Sequence, residues 1–244
     1  MLRVFRDVPV GRLRLLVFDL DGTLIDSARD LANSVNAALE HMNRPPLTEE
    51  IIASFVGNGA AMLVRQALAA EEKISPDEVH DEEIATAYSY FLDHYRAHLL
   101  DTTYVYSGVM DALRALSGQH MMAVLTNKPV RPARRICEGL GMAEFFRVIY
   151  GWDSFPLKKP DPMGLNAIIA EAGVRADETM MIGDSKVDVL TARNAGAWSL
   201  GCQFGFGPQN LHEETPDILV DHASDWTTAL EPAKMVGQLK PTES

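Results

Sequence analysis

Apolar residues are spaced in two different ways along the chain, and the change comes near residue 105. Between residues 26 and 100 they recur at intervals of three and four, which places them on one face of an α-helix. Ser27 precedes the first of these segments, and Ser75 followed by Pro76 precedes the last, so we expect both serines to cap helices. The predicted helices cover residues 28–42, 48–55, 62–67 and 76–100.

The rest of the chain alternates short apolar runs with helical segments. Runs of four or five apolar residues that end at Gly or polar residues are typical of strands buried on both faces. Alternation of strand and helix predicts a mostly parallel sheet with right-handed crossovers, and the helical block is then inserted after the first strand. The predicted strands cover residues 15–18, 121–125, 146–150, 179–182, 198–202 and 217–220.

These patterns predict an α/β fold with two parts. Residues 1–25 and 105–244 would form a Rossmann-like core, and residues 26–104 an all-helical insert. We expect residues 1–14 to be a short N-terminal extension, because they contain four arginines and no apolar segment long enough for a signal peptide.

Composition narrows the classes of protein to which the chain could belong. Hydrophobic residues make up 47% and charged residues 23%, which is ordinary for a globular protein, and no apolar stretch approaches the ~18 residues of a membrane span. The net charge of −12 argues against binding to nucleic acid through many phosphate contacts. Cys137 and Cys202 lack metal-binding or redox spacing, so we expect a reducing, cytoplasmic location.

Polar side chains follow three of the predicted strands at the point where each strand ends. Ligands of open α/β sheets bind outside the carboxyl ends of the strands, and neighbouring parallel strands lie only ~4.8 Å apart. We therefore expect these side chains to meet in one pocket, joined by a lysine from the loop between the second and third strands. They are Asp19 and Asp21, then Thr126 and Asn127, then Asp184, with Lys159 from the loop.

This set of side chains favours phosphoryl transfer. It holds three carboxylates and no group of histidines, and hard oxygen ligands suit Mg²⁺, which binds through one or two carboxylates together with substrate phosphate. An acidic chain that binds an anion needs a local cation or metal, and a magnesium ion with Lys159 would supply that charge.

Four ordered motifs resemble those of the haloacid dehalogenase-like hydrolases, a superfamily in which a helical cap can follow the first motif. Within it, the chain is most similar to phosphoglycolate phosphatases, on further segments at 26–27, 56–60, 124–129 and 158–162. The superfamily's dehalogenases lack the second carboxylate, so Asp21 favours phosphate chemistry. The four motifs are Asp19-Leu20-Asp21-Gly22-Thr23-Leu24, Leu125-Thr126-Asn127, Lys159-Pro160 and Gly183-Asp184-Ser185-Lys186-Val187-Asp188.

The resemblance implies a role for each of the two leading carboxylates. Asp19 would be the nucleophile that forms an aspartyl-phosphate, and Asp21 the general acid that protonates the leaving oxygen and then activates water. It also implies that Mg²⁺ is held by the Asp19 side chain, the Asp21 backbone carbonyl and Asp184.

The phosphoryl oxygens would be held by residues of the second and third motifs. The resemblance implies this role for the Thr126 hydroxyl, the Asn127 backbone amide and Lys159, which is favoured over Lys158 because it directly precedes proline. Asp188 would orient Lys159 or a metal-bound water from behind.

Substrate contacts are also implied at Gly22, Thr23 and Asn58. The loop that contains Asn58 could instead be a simple turn between helices. Arg65 could reach a substrate carboxylate, although a surface arginine is the more ordinary interpretation.

We predict a Mg²⁺-dependent phosphatase whose partner is a small phosphorylated metabolite, with 2-phosphoglycolate as the first candidate. Three alternatives stay open: a β-phosphoglucomutase-like phosphosugar mutase, an inorganic pyrophosphatase of the same superfamily, and a non-catalytic binding protein that retains the fold. The four motifs do not choose the substrate, because selectivity would lie in the cap. The sequence predicts no oligomeric state.

Overall fold

A computed structural model describes residues 1–207 and 211–231. In these residues the predicted alternation of strand and helix is present, and the strands predicted at 15–18, 121–125 and 198–202 have the predicted bounds. The strands are β1 Leu2–Val4, β2 Leu15–Phe18, β3 Ile25–Asp26, β4 Tyr104–Val105, β5 Met121–Leu125, β6 Ile149–Tyr150, β7 Thr179–Gly183, β8 Trp198–Cys202 and β9 Ile218–Val220. The helices are α1 Ala28–His41, α2 Glu49–Ala53, α3 Ala60–Glu72, α4 Asp81–Ala97, α5 Val109–Ser117, α6 Val130–Gly139, α7 Met163–Ala172, α8 Lys186–Ala195 and α9 Asp225–Leu230.

A seven-stranded sheet forms the centre of the molecule, in the order β1-β9-β8-β7-β2-β5-β6. Its strand pairs are parallel except for β1 with β9. Phe18, the last residue of β2, is level with Val124 of β5 and with Ile182 of β7. The loops that follow these three strands therefore start at one edge of the sheet, and the predicted α/β fold is confirmed.

The two faces of β2 explain why its sequence is apolar without interruption. Successive side chains of a strand point to opposite faces. Leu16 and Phe18 pack in one buried cluster, while Leu15 and Val17 pack in a second one on the other side of the sheet. All four are at most 1% exposed, so β2 is held in place from both sides.

The four helices α1 to α4 lie between β2 and β5 in sequence. Each buries apolar residues on one face, as their spacing predicts. Their buried residues include Leu31, Leu68 and Phe91. A two-stranded ribbon of β3 and β4 lies where the chain enters and leaves this helical block, with Ile25 level with Val105. The ribbon coincides with the predicted boundaries at residues 25–26 and 104–105, and we retain that division as a proposal. Within the described ranges, none of the helices has the length and apolar character that crossing a bilayer requires.

The last helix of this block begins later than its sequence signals predict. Ser75 and Glu78 do form a capping box, but on a short 3₁₀ turn at Pro76–Glu78. Val79 is then extended and buried at 4% exposure, and α4 starts at Asp81. Burial of the Val79 side chain interrupts the helix that the cap alone would favour.

Three further expectations from the sequence are wrong in detail. Ser27 precedes α1 but does not cap it, because its hydroxyl donates to Asp21 Oδ1 at 2.6 Å and Asp26 Oδ1 accepts from the Ala28 N–H instead. The N-terminal extension contains a strand, β1, which pairs antiparallel with β9 at the sheet edge. The strand expected at 146–150 is limited to Ile149 and Tyr150.

Candidate active site

Asp19 is the first residue after β2, and it lies beside Lys159 as predicted. Lys159 Nζ is 2.9 Å from Asp19 Oδ1, close enough for an ion pair but not aligned for a hydrogen bond. On its other side the same ammonium donates to Asp188 Oδ1 at 2.6 Å. All three side chains are buried. Lys159 is thus fixed between two carboxylates, one that follows β2 and one from the first turn of α8.

Asp188 is itself held in place by the start of α8. Its Oδ2 accepts from the Ser185 hydroxyl at 2.7 Å and from the Ser185 backbone N–H at 3.2 Å. The Gly183 position leaves room for this carboxylate, because a Cβ there would lie 2.1 Å from Asp188 Cγ. One oxygen of Asp188 therefore bonds to Ser185 at the start of α8 and the other to Lys159, and its positioning role stays a prediction.

Asp184 follows β7 and faces the turn after β2. Its Oδ2 accepts backbone N–H groups of Phe206 at 2.7 Å and Gly207 at 3.0 Å, both from the loop after β8. The Thr23 hydroxyl lies 3.5 Å from Asp184 Oδ1, and a Cβ at Gly22, which has a φ of +83°, would be 2.4 Å from Asp184 Oδ2. Gly22 and Thr23 thus pack against Asp184, and the loop after β8 is a component that sequence reasoning missed.

Carboxylate oxygens of Asp19, Asp184 and Asp188 lie within 4.8 Å of one another. Burial raises the pKa of Asp184 to about 8, and the neighbouring charges of Asp188 and Asp19 add to the shift. Burial also raises the pKa of Asp19, although the Lys159 charge opposes it. Three buried acids share a single ammonium, so the cluster lacks positive charge. A divalent cation with oxygen ligands would supply it, and the donor set fits such an ion.

Asp21 points into the same cavity but has different partners from Asp19. Lys128 Nζ donates to Asp21 Oδ1 at 3.0 Å and to Oδ2 at 2.9 Å, and the Ser27 hydroxyl adds its bond to Oδ1. Lys128 is buried. Burial alone would lower its pKa, but the neighbouring Asp21 carboxylate and Tyr95 phenol group raise it. Every one of these groups donates to Asp21, so its side chain is held in one orientation at the cavity.

Sequence reasoning did not identify Lys128 as a site residue. A lysine in a loop is ordinarily a solvated surface residue. Its partner Asp21 is 107 positions away in the chain, so only the alignment of β2 with β5 brings the two together. The signal that could have found it is its place three residues after the end of an apolar strand, next to Thr126 and Asn127.

Thr126 and Asn127 directly follow β5 and are both buried. The Thr126 hydroxyl oxygen accepts the Lys128 backbone N–H at 3.2 Å. The Asn127 amide donates to the backbone oxygens of Gly57 at 3.0 Å and Lys159 at 3.1 Å, so it joins the helical block to the loop of the third motif. The backbone role predicted for Asn127 stays a prediction, while its side chain has this structural one.

A cavity of about 300 Å³ lies over these groups, between the sheet edge and the helical block. Its floor includes Asp19, Asp21, Thr126 and Lys128, and its walls include apolar side chains of α1, α3 and α4. This volume is at the small end of the range for ligand pockets, so it suits a small metabolite.

Several residues predicted from the sequence do not line this cavity. They are Gly22, Thr23, Lys159, Asp184 and Asp188, which lie beside its floor in the contacts given above, and Asn58, Lys158 and Arg65. Asn58 is exposed, and the flanking Gly57 and Gly59 line the cavity instead. The Asn58 backbone oxygen accepts a 2.6 Å bond from Lys158 Nζ, which places Lys158 at the rim and leaves Lys159 as the buried lysine of the pair. Arg65 forms an ion pair with Asp81 at 3.0 Å, as expected for a surface arginine.

The chain belongs to the haloacid dehalogenase-like hydrolase family, whose sequence profile matches residues 16–202. A protein of Pseudomonas putida named phosphoglycolate phosphatase is 41% identical over 210 residues, which cover 85% of this chain and 76% of that protein. A phosphoglycolate phosphatase of Vibrio parahaemolyticus is 37% identical over 87% of this chain and 94% of its own length. The resemblance inferred from the four motifs is confirmed.

Solved structures agree with this assignment. The crystal structure of a predicted phosphoglycolate phosphatase from Haemophilus somnus superposes with a TM-score of 0.84 at 30% identity, over 90% of this chain and 99% of that one. CbbY from Rhodobacter sphaeroides, solved in complex with phosphate, has a TM-score of 0.70 at 19% identity and shares the fold.

Proposed function

From its membership of this hydrolase family, we propose that the protein is a Mg²⁺-dependent phosphatase that hydrolyses a small phosphomonoester, with 2-phosphoglycolate as the preferred substrate. The observation that carries the proposal is the pair of carboxylates Asp19 and Asp21 on one small cavity, each with a different lysine. Phosphatase relatives with about 40% identity over most of the chain support the reaction and the choice of substrate.

Asp19 is the proposed nucleophile. One of its oxygens would bond to phosphorus while the bond from phosphorus to the ester oxygen breaks, which leaves an aspartyl-phosphate and divides one difficult displacement into two easier steps. Lys159, 2.9 Å from Asp19 Oδ1, is placed to neutralise charge on the phosphoryl oxygens. Asp188 keeps that ammonium in position through its 2.6 Å contact.

Asp21 is the proposed proton-transfer group. In the first step its carboxyl group gives a proton to the leaving ester oxygen. In the second step its carboxylate removes a proton from the water that attacks phosphorus, while the bond from phosphorus to the Asp19 oxygen breaks, so that phosphate leaves and the Asp19 carboxylate and the Asp21 carboxyl group are restored. The bonds from Lys128 and Ser27 restrict the orientation of the Asp21 side chain, so that it remains directed into the cavity.

The proposed cation is Mg²⁺, held by the side chains of Asp19 and Asp184 and by the backbone carbonyl of Asp21. When bound, it would supply positive charge to the phosphate and to the crowded carboxylates. The amides of Phe206 and Gly207 fix Asp184 for this role.

Above the site, the helical block would act as a cap that closes over the substrate and excludes bulk water. The ribbon of β3 and β4 is the proposed hinge, since it contains both chain crossings. The two buried free cysteines, Cys137 and Cys202, accord with the proposed cytoplasmic location.

The test is phosphate release by the purified protein from a panel of phosphoglycolate, a sugar 1-phosphate and pyrophosphate. We expect the highest kcat/KM with phosphoglycolate, loss of activity with a chelator, and recovery when Mg²⁺ is returned. Transfer of phosphate between sugar hydroxyls would indicate a mutase instead, and preference for pyrophosphate a pyrophosphatase. Absence of phosphate release from every compound in the presence of Mg²⁺ would overturn the proposal and favour a binding protein.

A further inference from the structure

Lys128 is a buried cation at the cavity, and holding Asp21 in place does not use all of its N–H donors. Its side chain is 4% exposed, and its ammonium lies against both oxygens of Asp21 in the floor of the cavity. Within the ranges that the structure describes, Lys128 and Lys159 are the two buried cations. Lys159 is engaged by Asp19 and Asp188 on the phosphoryl side, so Lys128 provides a second, separate positive centre.

Tyr95, on α4 of the helical block, completes this second centre from above. Lys128 Nζ lies 4.8 Å from the centre of the Tyr95 ring, and the ring is in the same cavity. The tyrosine is buried at 4% exposure, yet its hydroxyl has no hydrogen-bond partner among the described residues. A buried hydroxyl without a partner is costly, so this one is a candidate for bonding to a ligand.

Lys128 also retains hydrogen-bonding capacity. An ammonium has three N–H donors. Two of them are used by the bonds to Asp21 Oδ1 and Oδ2, and one is left. The unused donor and the Tyr95 hydroxyl therefore meet at the cavity, one from the sheet side and one from the helical block. Two donors, one of them charged, form a site that favours a carboxylate.

The other cations of the cavity are less suitable for this task. Arg96 and Arg131 also line it, but both are exposed, and Arg96 is paired with Asp93 at 3.0 Å. Interactions of exposed charges are screened by water and are weak. A buried lysine discriminates more strongly, because a ligand that lacks an acceptor leaves one of its N–H donors and the Tyr95 hydroxyl away from water without a partner.

We propose that Lys128 and Tyr95 bind the carboxylate of the substrate and so select phosphomonoesters that carry an anion close to the ester oxygen. This inference rests on the proposed function, in which Asp21 protonates that oxygen. In phosphoglycolate a single methylene separates the ester oxygen from the carboxylate. A carboxylate so near the oxygen that faces Asp21 falls within reach of Lys128, the ion-pair partner of Asp21.

The experiment compares two substrates in two variants. Phosphoglycolate is set against ethyl phosphate, which has an equally short chain but no carboxylate. In Lys128→Met we expect the ratio of kcat/KM for phosphoglycolate to that for ethyl phosphate to fall about 100-fold, and in Tyr95→Phe about 10-fold. The ratio cancels any effect that Lys128 exerts through Asp21, because proton transfer is common to both substrates.

The controls separate carboxylate binding from a general loss of the site. Lys73→Met removes an exposed lysine of the helical block and should leave the ratio unchanged. The inhibition constant of inorganic phosphate should stay within about threefold of wild type in Tyr95→Phe, since the phosphoryl contacts remain. Tyr95→Phe should also fold, because it removes a hydroxyl that has no partner.

A fall of equal size for both substrates in Lys128→Met, with an unchanged ratio in Tyr95→Phe, would overturn this inference and leave Lys128 as a support for Asp21. A wild-type enzyme that hydrolyses ethyl phosphate as efficiently as phosphoglycolate would overturn it as well. Failure of the wild type to hydrolyse phosphoglycolate at all would be a different result, because it rejects the proposed substrate itself.

Discussion

Replacement of Asp30 by Asn should destabilise the junction between the helical block and the sheet. Asp30 lies in the first turn of α1 and is 1% exposed. Its carboxylate accepts bonds from the backbone N–H and the hydroxyl of both Thr102 and Thr103, at 2.5 to 3.1 Å. Thr102 and Thr103 immediately precede β4, so these bonds attach α1 to the chain segment that returns to the sheet.

The expected cost follows from the number and kind of these donors. An asparagine keeps one acceptor oxygen and presents an N–H₂ group to the other donors. The threonine hydroxyls can rotate away, but at least one buried backbone N–H loses its partner, which costs about 1–3 kcal/mol. Loss of charge from the remaining bonds and from the N-terminus of α1 adds about 1 kcal/mol. We therefore expect a loss of about 3 kcal/mol, or a fall in Tm of about 6–12 °C for a chain of this size.

The effect should also depend on pH in a defined direction. Burial would raise the pKa of Asp30, but the bonds from Thr102 and Thr103 outweigh it and lower the pKa below 3.8. A carboxyl whose pKa is lowered by folding contributes stability above its unfolded pKa and loses it as the pH falls through the folded value. The difference in unfolding free energy between wild type and Asp30→Asn should thus be constant near neutral pH and shrink below about pH 4.

Thermal unfolding followed by circular dichroism measures this difference. Asp111→Asn is a matched control, because Asp111 is an exposed residue of α5 that pairs with the neighbouring Arg114. It should change the free energy of unfolding by less than about 0.5 kcal/mol. A Tm for Asp30→Asn equal to that of the control, or a difference that grows in acid, would refute the reasoning.

Two other substitutions test the geometry of the site. Asp188→Asn should lower kcat about 100-fold in a phosphate-release assay, because Lys159 loses the carboxylate at 2.6 Å that holds it beside Asp19. An unchanged kcat would contradict this positioning role. Gly205→Ala should abolish Mg²⁺-dependent activity, because the new Cβ would lie 2.2 Å from the Gly22 carbonyl oxygen and 2.3 Å from Asp184 Cβ. Gly118→Ala should be fully active, because no atom of a non-adjacent described residue lies within 4 Å of the Cβ added there. Equal activity of both glycine variants would show that this close packing does not matter.

Much of the sheet could be predicted because its strands are buried on both faces. β5 and β8 coincide with their apolar runs, and the side chains that follow β2, β5 and β7 do meet, as the topology of parallel strands requires. The β1 strand could not be predicted, because three exposed residues have no burial pattern and pair with β9 more than 200 positions away.

Local signals failed where tertiary packing competed with them. Ser27 has the right type and position for an N-cap, but its hydroxyl binds Asp21. Ser75 and Glu78 form their capping box, yet burial of Val79 ends the turn. Backbone donors such as the Phe206 N–H, which fixes Asp184, have no signature in the sequence at all.

The central claim, that Asp19 is phosphorylated during turnover, is tested most directly by acid quenching of the enzyme with phosphoglycolate and Mg²⁺, followed by mass spectrometry of the tryptic peptide 15–29. Fragmentation should place one phosphoryl group on Asp19 in the wild type, and Asp19→Asn should show neither the modified peptide nor phosphate release, while Asp111→Asn shows both. Phosphate release by Asp19→Asn at the wild-type rate, or a phosphoryl group on a different side chain, would contradict the mechanism.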